Sequence, residues 1–170
     1  MNKKHIDEFY KRIENDCQYG IFTLSLPLLL LNKHLYSVSE NFYKTKYDLI
    51  HSDIDVLAAL YFTNDNHSLT PTELYDATVF SSGGMTKVLK KLEKRELIFR
   101  EASKEDKRKF IIKLTKNGED LINECMNLIK GCLEEFFSPL SKKEQKEMKT
   151  MFSKLLYSVT QSSISSKIGQ

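Results

Sequence analysis

Between Met85 and Leu114 the hydrophobic period of the chain changes, and that change limits the fold more than any other feature. Met85, Val88, Leu89 and Leu92 recur at three- and four-residue spacing, one face of a helix. After Glu96 the apolar residues alternate. Leu97–Ala102 reads as a strand, Ser103–Arg108 as a charged turn, and Phe110–Leu114 as the return strand with Phe110, Ile112 and Leu114 on one face. Upstream, Thr70-Pro71-Thr72-Glu73 is a helix start: a Thr cap, proline at the first helical position, and Glu three residues after the cap. That helix is short and ends near Ala77. Val79-Phe80 reads as a turn, and Ser81-Ser82 open a helix to about Arg95.

The flanks are helical. Residues 3–15 form a small amphipathic helix in this reading. A longer one runs from Ser25, its expected cap, to Lys46, with Pro27 in the first turn and a stripe of Leu28, Leu31, Leu35, Val38 and Phe42. Ser52 is the expected cap of Asp53–Phe62. After the hairpin, Thr115 caps a helix to about Phe137, whose stripe includes Leu121, Ile122, Cys125, Leu128, Ile129, Cys132 and Leu133. Pro139 breaks it, and Ser141-Lys142-Lys143-Glu144 is a second capping box, followed by Met148, Met151, Phe152, Leu155, Leu156 and Val159. The resulting fold class is mainly α with a small β-hairpin wing: a winged helix-turn-helix reader plus a helical dimerisation lobe. The expected division is 1–20 as an N-terminal extension, 21–160 as the main domain and 161–170 as a flexible tail. Within the main domain, 52–116 is the reader, and 21–46 and 115–160 are the dimerisation helices. Both ends have more apolar face than the reader between them can cover, which predicts a homodimer.

Charge points to the partner. Ser81–Lys116 carries twelve Lys/Arg against five Asp/Glu, a local excess of seven in a chain of net +3, so the remainder is net −4. A basic block in a mildly acidic chain is a polyanion footprint. The helix from Ser81 begins Ser81-Ser82-Gly83-Gly84-Met85-Thr86-Lys87, with small and hydroxyl-bearing residues where a recognition helix enters the major groove. Lys87, Lys90, Lys91 and Lys94 follow with ammonium groups for the backbone. The alternative is a helical dimeric adaptor whose winged helix binds protein. The basic hairpin tip argues against it, because a protein-docking wing carries exposed apolar residues.

Other classes lack their motifs. There is no nucleotide-binding Gly-rich loop after a strand, no HExxH and no GxSxG, so neither enzyme nor cofactor is expected. Gly83-Gly84 lies inside a helix without a Lys-Ser/Thr partner. Three cysteines, Cys17, Cys125 and Cys132, with no CxxC pair predict reduced thiols in a cytoplasm and no metal site. Cys17 is the candidate redox sensor; Cys125 and Cys132 lie on the stripe expected to be buried. His34 and His51 are isolated histidines, read as structural. Leu28–Leu31 is too short to span a bilayer, so no membrane partner is expected.

Lys91-Leu92-Glu93-Lys94-Arg95-Glu96-Leu97-Ile98, Asp106-Lys107-Arg108 and Leu114-Thr115-Lys116-Asn117-Gly118 resemble the MarR (multiple antibiotic resistance regulator) family patterns "RLEKKGLI", "D-x-R" and "LT-x-x-G". The resemblance runs from about Leu28 to Val159. It implies a triangular homodimer on a pseudo-palindromic operator in double-stranded DNA, released by a small aromatic or anionic effector or by oxidation of a cysteine. It also implies that Arg108 enters the minor groove braced by Asp106 and that Ser81, Ser82, Thr86 and Lys87 face the major groove; beside them Gly83 allows close backbone approach, and Lys107 is expected to meet phosphate. The stretch from Leu69 to Lys87 looks most like a urate-responsive subgroup. That subgroup's pocket uses a tryptophan, and this chain has none. Glu96 stands where the family usually has Gly, at a cost of about 1 kcal/mol if the backbone there is left-handed.

Overall fold

The computed structural model describes residues 3–14, 18–78, 82–102 and 110–161, the side chains of residues 82, 83, 160 and 161 excepted. It is mainly helical with one small antiparallel sheet. The order is α1 (Lys3–Ile13), α2 (Phe22–Tyr47), α3 (His51–Thr63), β1 (Ser68–Leu69), α4 (Pro71–Ala77), α5 (Ser82–Lys94), β2 (Ile98–Ala102), β3 (Phe110–Leu114), α6 (Lys116–Phe136) and α7 (Lys142–Gln161). The chain forms two compact units, Met1–Ile122 and Asn123–Gln170.

In the first unit the strands lie in the order β1-β3-β2. Ile98 pairs with Leu114, Arg100 with Ile112 and Ala102 with Phe110, while Leu69 faces Ile112 from the other edge. Helices α3, α4 and α5 pack on this sheet, and α3 packs on both α4 and α5. The core they enclose contains Leu49, Val56, Leu57, Leu60, Leu74, Leu92 and Ile112. The two-residue β1 was not expected, being too short to show alternation. It is set up by Asn64, whose side-chain carbonyl accepts from the N–H groups of Asn66 and Ser68 (3.1 and 3.3 Å) and whose amide donates to the Ser68 carbonyl (2.6 Å). Phe110, expected on the inward face, is 52% exposed at the outer end of β3.

Two helix starts differ from expectation. Ser25 is not a cap: α2 begins at Phe22, wound up by bonds from Phe22, Thr23 and Leu24 N–H to the carbonyls three residues back, and Pro27 lies inside it. Nor does Ser52 cap α3. The Asp53 carboxylate reaches back to the Ile50 N–H at 2.9 Å, so the helix starts at His51. The boxes at Thr70/Glu73 and Ser141/Glu144 form as read, each carboxylate accepting from the cap's N–H (2.8 and 2.7 Å).

In the second unit α6 continues to Phe136, and a tight turn leads to α7. Gln145 holds the turn by donating to the carbonyls of Phe137 (3.1 Å) and Leu140 (2.9 Å). Cys125 is buried, but Cys132, one heptad on, is exposed, contrary to expectation. Beyond Cys125 some apolar positions of α6 open outward, Leu128 and Leu133 among them, while Ile129 and Phe136 are half-buried. No described helix is long and apolar enough to cross a membrane.

Candidate nucleic-acid interface

α5 is amphipathic in the sense its sequence predicts. Met85, Val88, Leu89 and Leu92 are all buried. The opposite face presents Thr86, Lys87, Lys90 and Lys94 to solvent, and the three lysines take part in no ion pair among the described residues. Ser82 and Gly83 lie in its first turn, where a helix has unsatisfied N–H groups. Ser81, the wing-tip residues Asp106, Lys107 and Arg108, and Cys17 fall outside the described residues.

The end of α5 is set by Glu96, whose φ is 54°. This is the left-handed position foreseen at the departure from Gly. Glu96 N–H bonds to the Glu93 carbonyl (2.9 Å) and Leu97 N–H to the Leu92 carbonyl (3.0 Å), the paired bonds of a Schellman cap. Buried Leu92 and Leu97 supply its apolar contact. The helix ends at Lys94 and the Leu97 N–H is taken up in the cap, so the strand starts at Ile98 rather than Leu97.

The Leu114-Thr115-x-x-Gly118 motif locks the base of the wing to this cap. The Thr115 hydroxyl donates to the Glu96 carbonyl (2.6 Å) and accepts from the Gly118 N–H (3.0 Å), while Thr115 N–H bonds to the Leu97 carbonyl (3.0 Å). Gly118 is required by close approach, because a Cβ there would run into the Leu97 carbonyl oxygen. On the strands, Arg100 pairs with Glu93 of α5 at 2.8 Å and Lys113 with Glu101 at 2.6 Å. These two cations are therefore engaged within the reader.

Lys91, grouped by sequence with the outward lysines, is turned the other way. Its ammonium forms an ion pair with Asp53, a carboxylate buried in α3. Sequence reading missed this pair, since its members are 38 residues apart and neither lies in a motif with the other.

Of the isolated histidines, His51 has a structural setting. The His51 ring stacks on Tyr36 (centroids 3.9 Å apart) and meets Tyr43 edge-on. Its Nε2 lies 3.1 Å from the Tyr36 carbonyl and 2.9 Å from the Ser39 hydroxyl. A carbonyl can only accept, so Nε2 carries the proton. Nearby Asp55 has its carboxyl pushed above the ordinary range by burial, an effect the His51 charge partly offsets and Glu40 reinforces. His34 is exposed on α2. Among the described residues no group of His, Cys, Asp and Glu could hold a metal ion.

The profile of the SarA/Rot transcriptional regulators matches residues 39–125. The transcriptional repressor MprA of Escherichia coli is 33% identical over 94 residues, 55% of this chain and 53% of that protein. The match thus spans about half the length of that relative. The regulator MhqR of Bacillus subtilis is 30% identical over 114 residues, 67% of this chain and 70% of its own length. Among solved structures, Staphylococcus aureus MepR in complex with DNA superposes with a TM-score of 0.68 at 22% identity, over 79% of this chain and 96% of that one. A mutant E. coli MarR with operator DNA gives 0.68 at 22% identity, over 84% and 99%. The profile match over residues 39–125 and the relationship to MhqR show one family, and the chain belongs to it: the SarA/Rot regulators, winged-helix transcriptional regulators of the MarR type.

Proposed function

We propose that the chain is a sequence-specific DNA-binding repressor that acts in the cytoplasm as a homodimer on a pseudo-palindromic operator and is released by a small-molecule or redox signal. The observation that carries the reading is the exposed face Thr86–Lys87–Lys90–Lys94, whose lysines have no ion pair among the described residues, on a helix whose other side is buried. Such a face fits a major groove, with side chains for base edges at one end and ammonium groups for phosphates beyond. The repressor name of MprA and the DNA-bound states of MepR and MarR support the same reading. In it, residues 52–116 are the reader, and 21–46 and 115–160 the dimerisation helices. Ser81, Ser82, Gly83, Thr86 and Lys87 face the major groove. Arg108 enters the minor groove braced by Asp106, and Lys90 and Lys107 meet phosphates.

The test is binding to duplexes selected by the protein from a random pool, titrated at several salt concentrations. Lys90→Ala should weaken all sequences alike and reduce the salt slope by about one contact. Arg108→Ala should cost about 1–3 kcal/mol and relax preference for A·T at the site flanks. Asp106→Ala should also weaken binding, although deleting a negative charge would by electrostatics alone tighten it. Tighter binding in Asp106→Ala removes the braced wing, and failure to select any duplex returns the chain to the protein-binding adaptor. For the signal, peroxide should weaken binding by the wild type and leave Cys17→Ser unaffected. Oxidised wild type that binds as tightly as reduced protein leaves a small-molecule effector as the signal.

A further inference from the structure

Asp53 is the one charged side chain buried among the described residues, 1% exposed in the first turn of α3. Its Oδ2 accepts from the Ile50 N–H at 2.9 Å and from the Lys91 ammonium, and its Oδ1 has no hydrogen-bond partner among the described residues. Capping the Ile50 N–H needs only an acceptor at N3, which an amide such as Asn or Gln supplies without charge. A carboxylate removed from water needs a counter-charge as well, and Lys91 provides it from the last turn of α5.

Just past the end of α5, Arg95 makes a second attachment to the same corner. Its two terminal nitrogens donate to the carbonyls of Tyr47 and Asp48, both at 2.8 Å. These carbonyls close the C-terminus of α2, where Asp48 turns left-handed at φ 52°. Unpaired carbonyls at a helix end attract a cation, and a planar guanidinium can bridge two of them. Two cations at i and i+4, one in the last turn of α5 and one just past its end, therefore grip the two helix ends of the α2–α3 corner, while Lys87, Lys90 and Lys94 point outward.

We infer that Asp53 and Lys91, with Arg95, form a clamp that sets the position of α5, which makes Asp53 a positioning residue for DNA recognition and removes Lys91 from the DNA-contacting set. The inference rests on the reading of α5 as the recognition helix. It has a consequence of unexpected sign. Deleting the Asp53 charge makes the reader more positive, which by electrostatics alone tightens DNA binding, whereas loss of the clamp weakens it.

The experiment compares wild type, Lys91→Gln, Lys91→Arg, Asp53→Asn and the Lys91→Gln/Asp53→Asn double variant on a duplex selected by the wild type from a random pool. Affinity is measured across a salt series, and hydrogen exchange of the α5 amides on the same proteins without DNA. Lys91→Gln and Asp53→Asn should each lower affinity roughly tenfold with an unchanged salt slope. The double variant should be no worse than the weaker single one, as expected of a coupled pair, Lys91→Arg should keep most of the affinity, and α5 amides should exchange faster in Lys91→Gln. A salt slope reduced by about one contact in Lys91→Gln, additive losses, or tighter binding by Asp53→Asn would each overturn the clamp. Should Asp53→Asn not fold, the salt slope and the α5 exchange of Lys91→Gln carry the test alone. If the wild type selects no duplex, the DNA reading fails and exchange decides the clamp: faster α5 exchange in Lys91→Gln supports it and unchanged exchange overturns it.

Discussion

Gly118 and Glu96 both lie at the base of the wing, and each is constrained by backbone rather than by side-chain chemistry. At Gly118 a methyl group would collide with the Leu97 carbonyl oxygen, which is fixed by its bond from Thr115 N–H. Neither side can yield without breaking the lock. Gly118→Ala should therefore destabilise the chain by about 1–3 kcal/mol, the range for overpacking a tight site, read as a fall in the midpoint of denaturant unfolding. Glu96→Gly should act in the opposite direction. It relieves a side chain held at φ 54°, and the gain, less the extra backbone entropy glycine loses on folding, is about 0.5–1 kcal/mol. A Glu96→Gly variant less stable than wild type would mean that the Glu96 side chain stabilises the cap by more than its strain. At this scale the sequence was informative where a motif existed. The Leu-Thr-x-x-Gly pattern marked the lock and Glu96 stood out as a departure. Lys91 looked like its outward neighbours, because a lysine's direction depends on what lies across from it, and Asp53 is on another element.

Helix ends were legible when the capping partners lie within three residues of each other. Thr70/Glu73 and Ser141/Glu144 form the boxes their spacing predicts. α3 was misread because its N-terminal N–H is served by Asp53 behind a nonpolar Ile50, a pattern without a hydroxyl signal. α2 was misread because a turn of three-residue bonds extends it ahead of Ser25. The two boxes carry a pH dependence. Bonds from the Thr70 backbone and side chain hold the Glu73 carboxyl below its ordinary value of 4.5, and bonds from the Ser141 side chain and backbone do the same at Glu144. A lowered folded-state pKa adds stability that is fully present above the unfolded value and is lost as pH falls through the folded one. Stability should thus fall on acidification below 4.5, and part of that fall should be absent in Glu73→Gln and in Glu144→Gln, whose caps do not titrate. Urea unfolding at a series of pH values from 7 to 3 checks this. Curves for wild type and variants that stay parallel across the range would show that the boxes contribute nothing to acid sensitivity.

The stripes on the long helices were recognised as apolar, but periodicity alone cannot say whether such a face meets its own chain or another. On α2 the buried residues are Tyr43 and Tyr47, while Leu28, Leu31 and Val38 of the predicted stripe are exposed. On α7, Met151, Phe152, Leu155, Leu156 and Val159 are exposed as well. Apolar surface on this scale in water marks an interaction site, and the homodimer proposed above is the reading that uses it. Leu156 offers a clean test because it is 68% exposed. A charge at that position costs the single chain little, so any damage from Leu156→Glu reports on a partner. The variant should keep its helical circular dichroism yet sediment as a monomer at concentrations where the wild type is dimeric. Its operator affinity should drop about 100-fold or more, because the second half-site contact is then no longer intramolecular, whereas affinity for an isolated half-site should be unchanged. A wild type that sediments as a monomer would rule out the homodimer. A Leu156→Glu variant that remains dimeric would move the interface away from α7, leaving the exposed stripe of α2 as the face to test next.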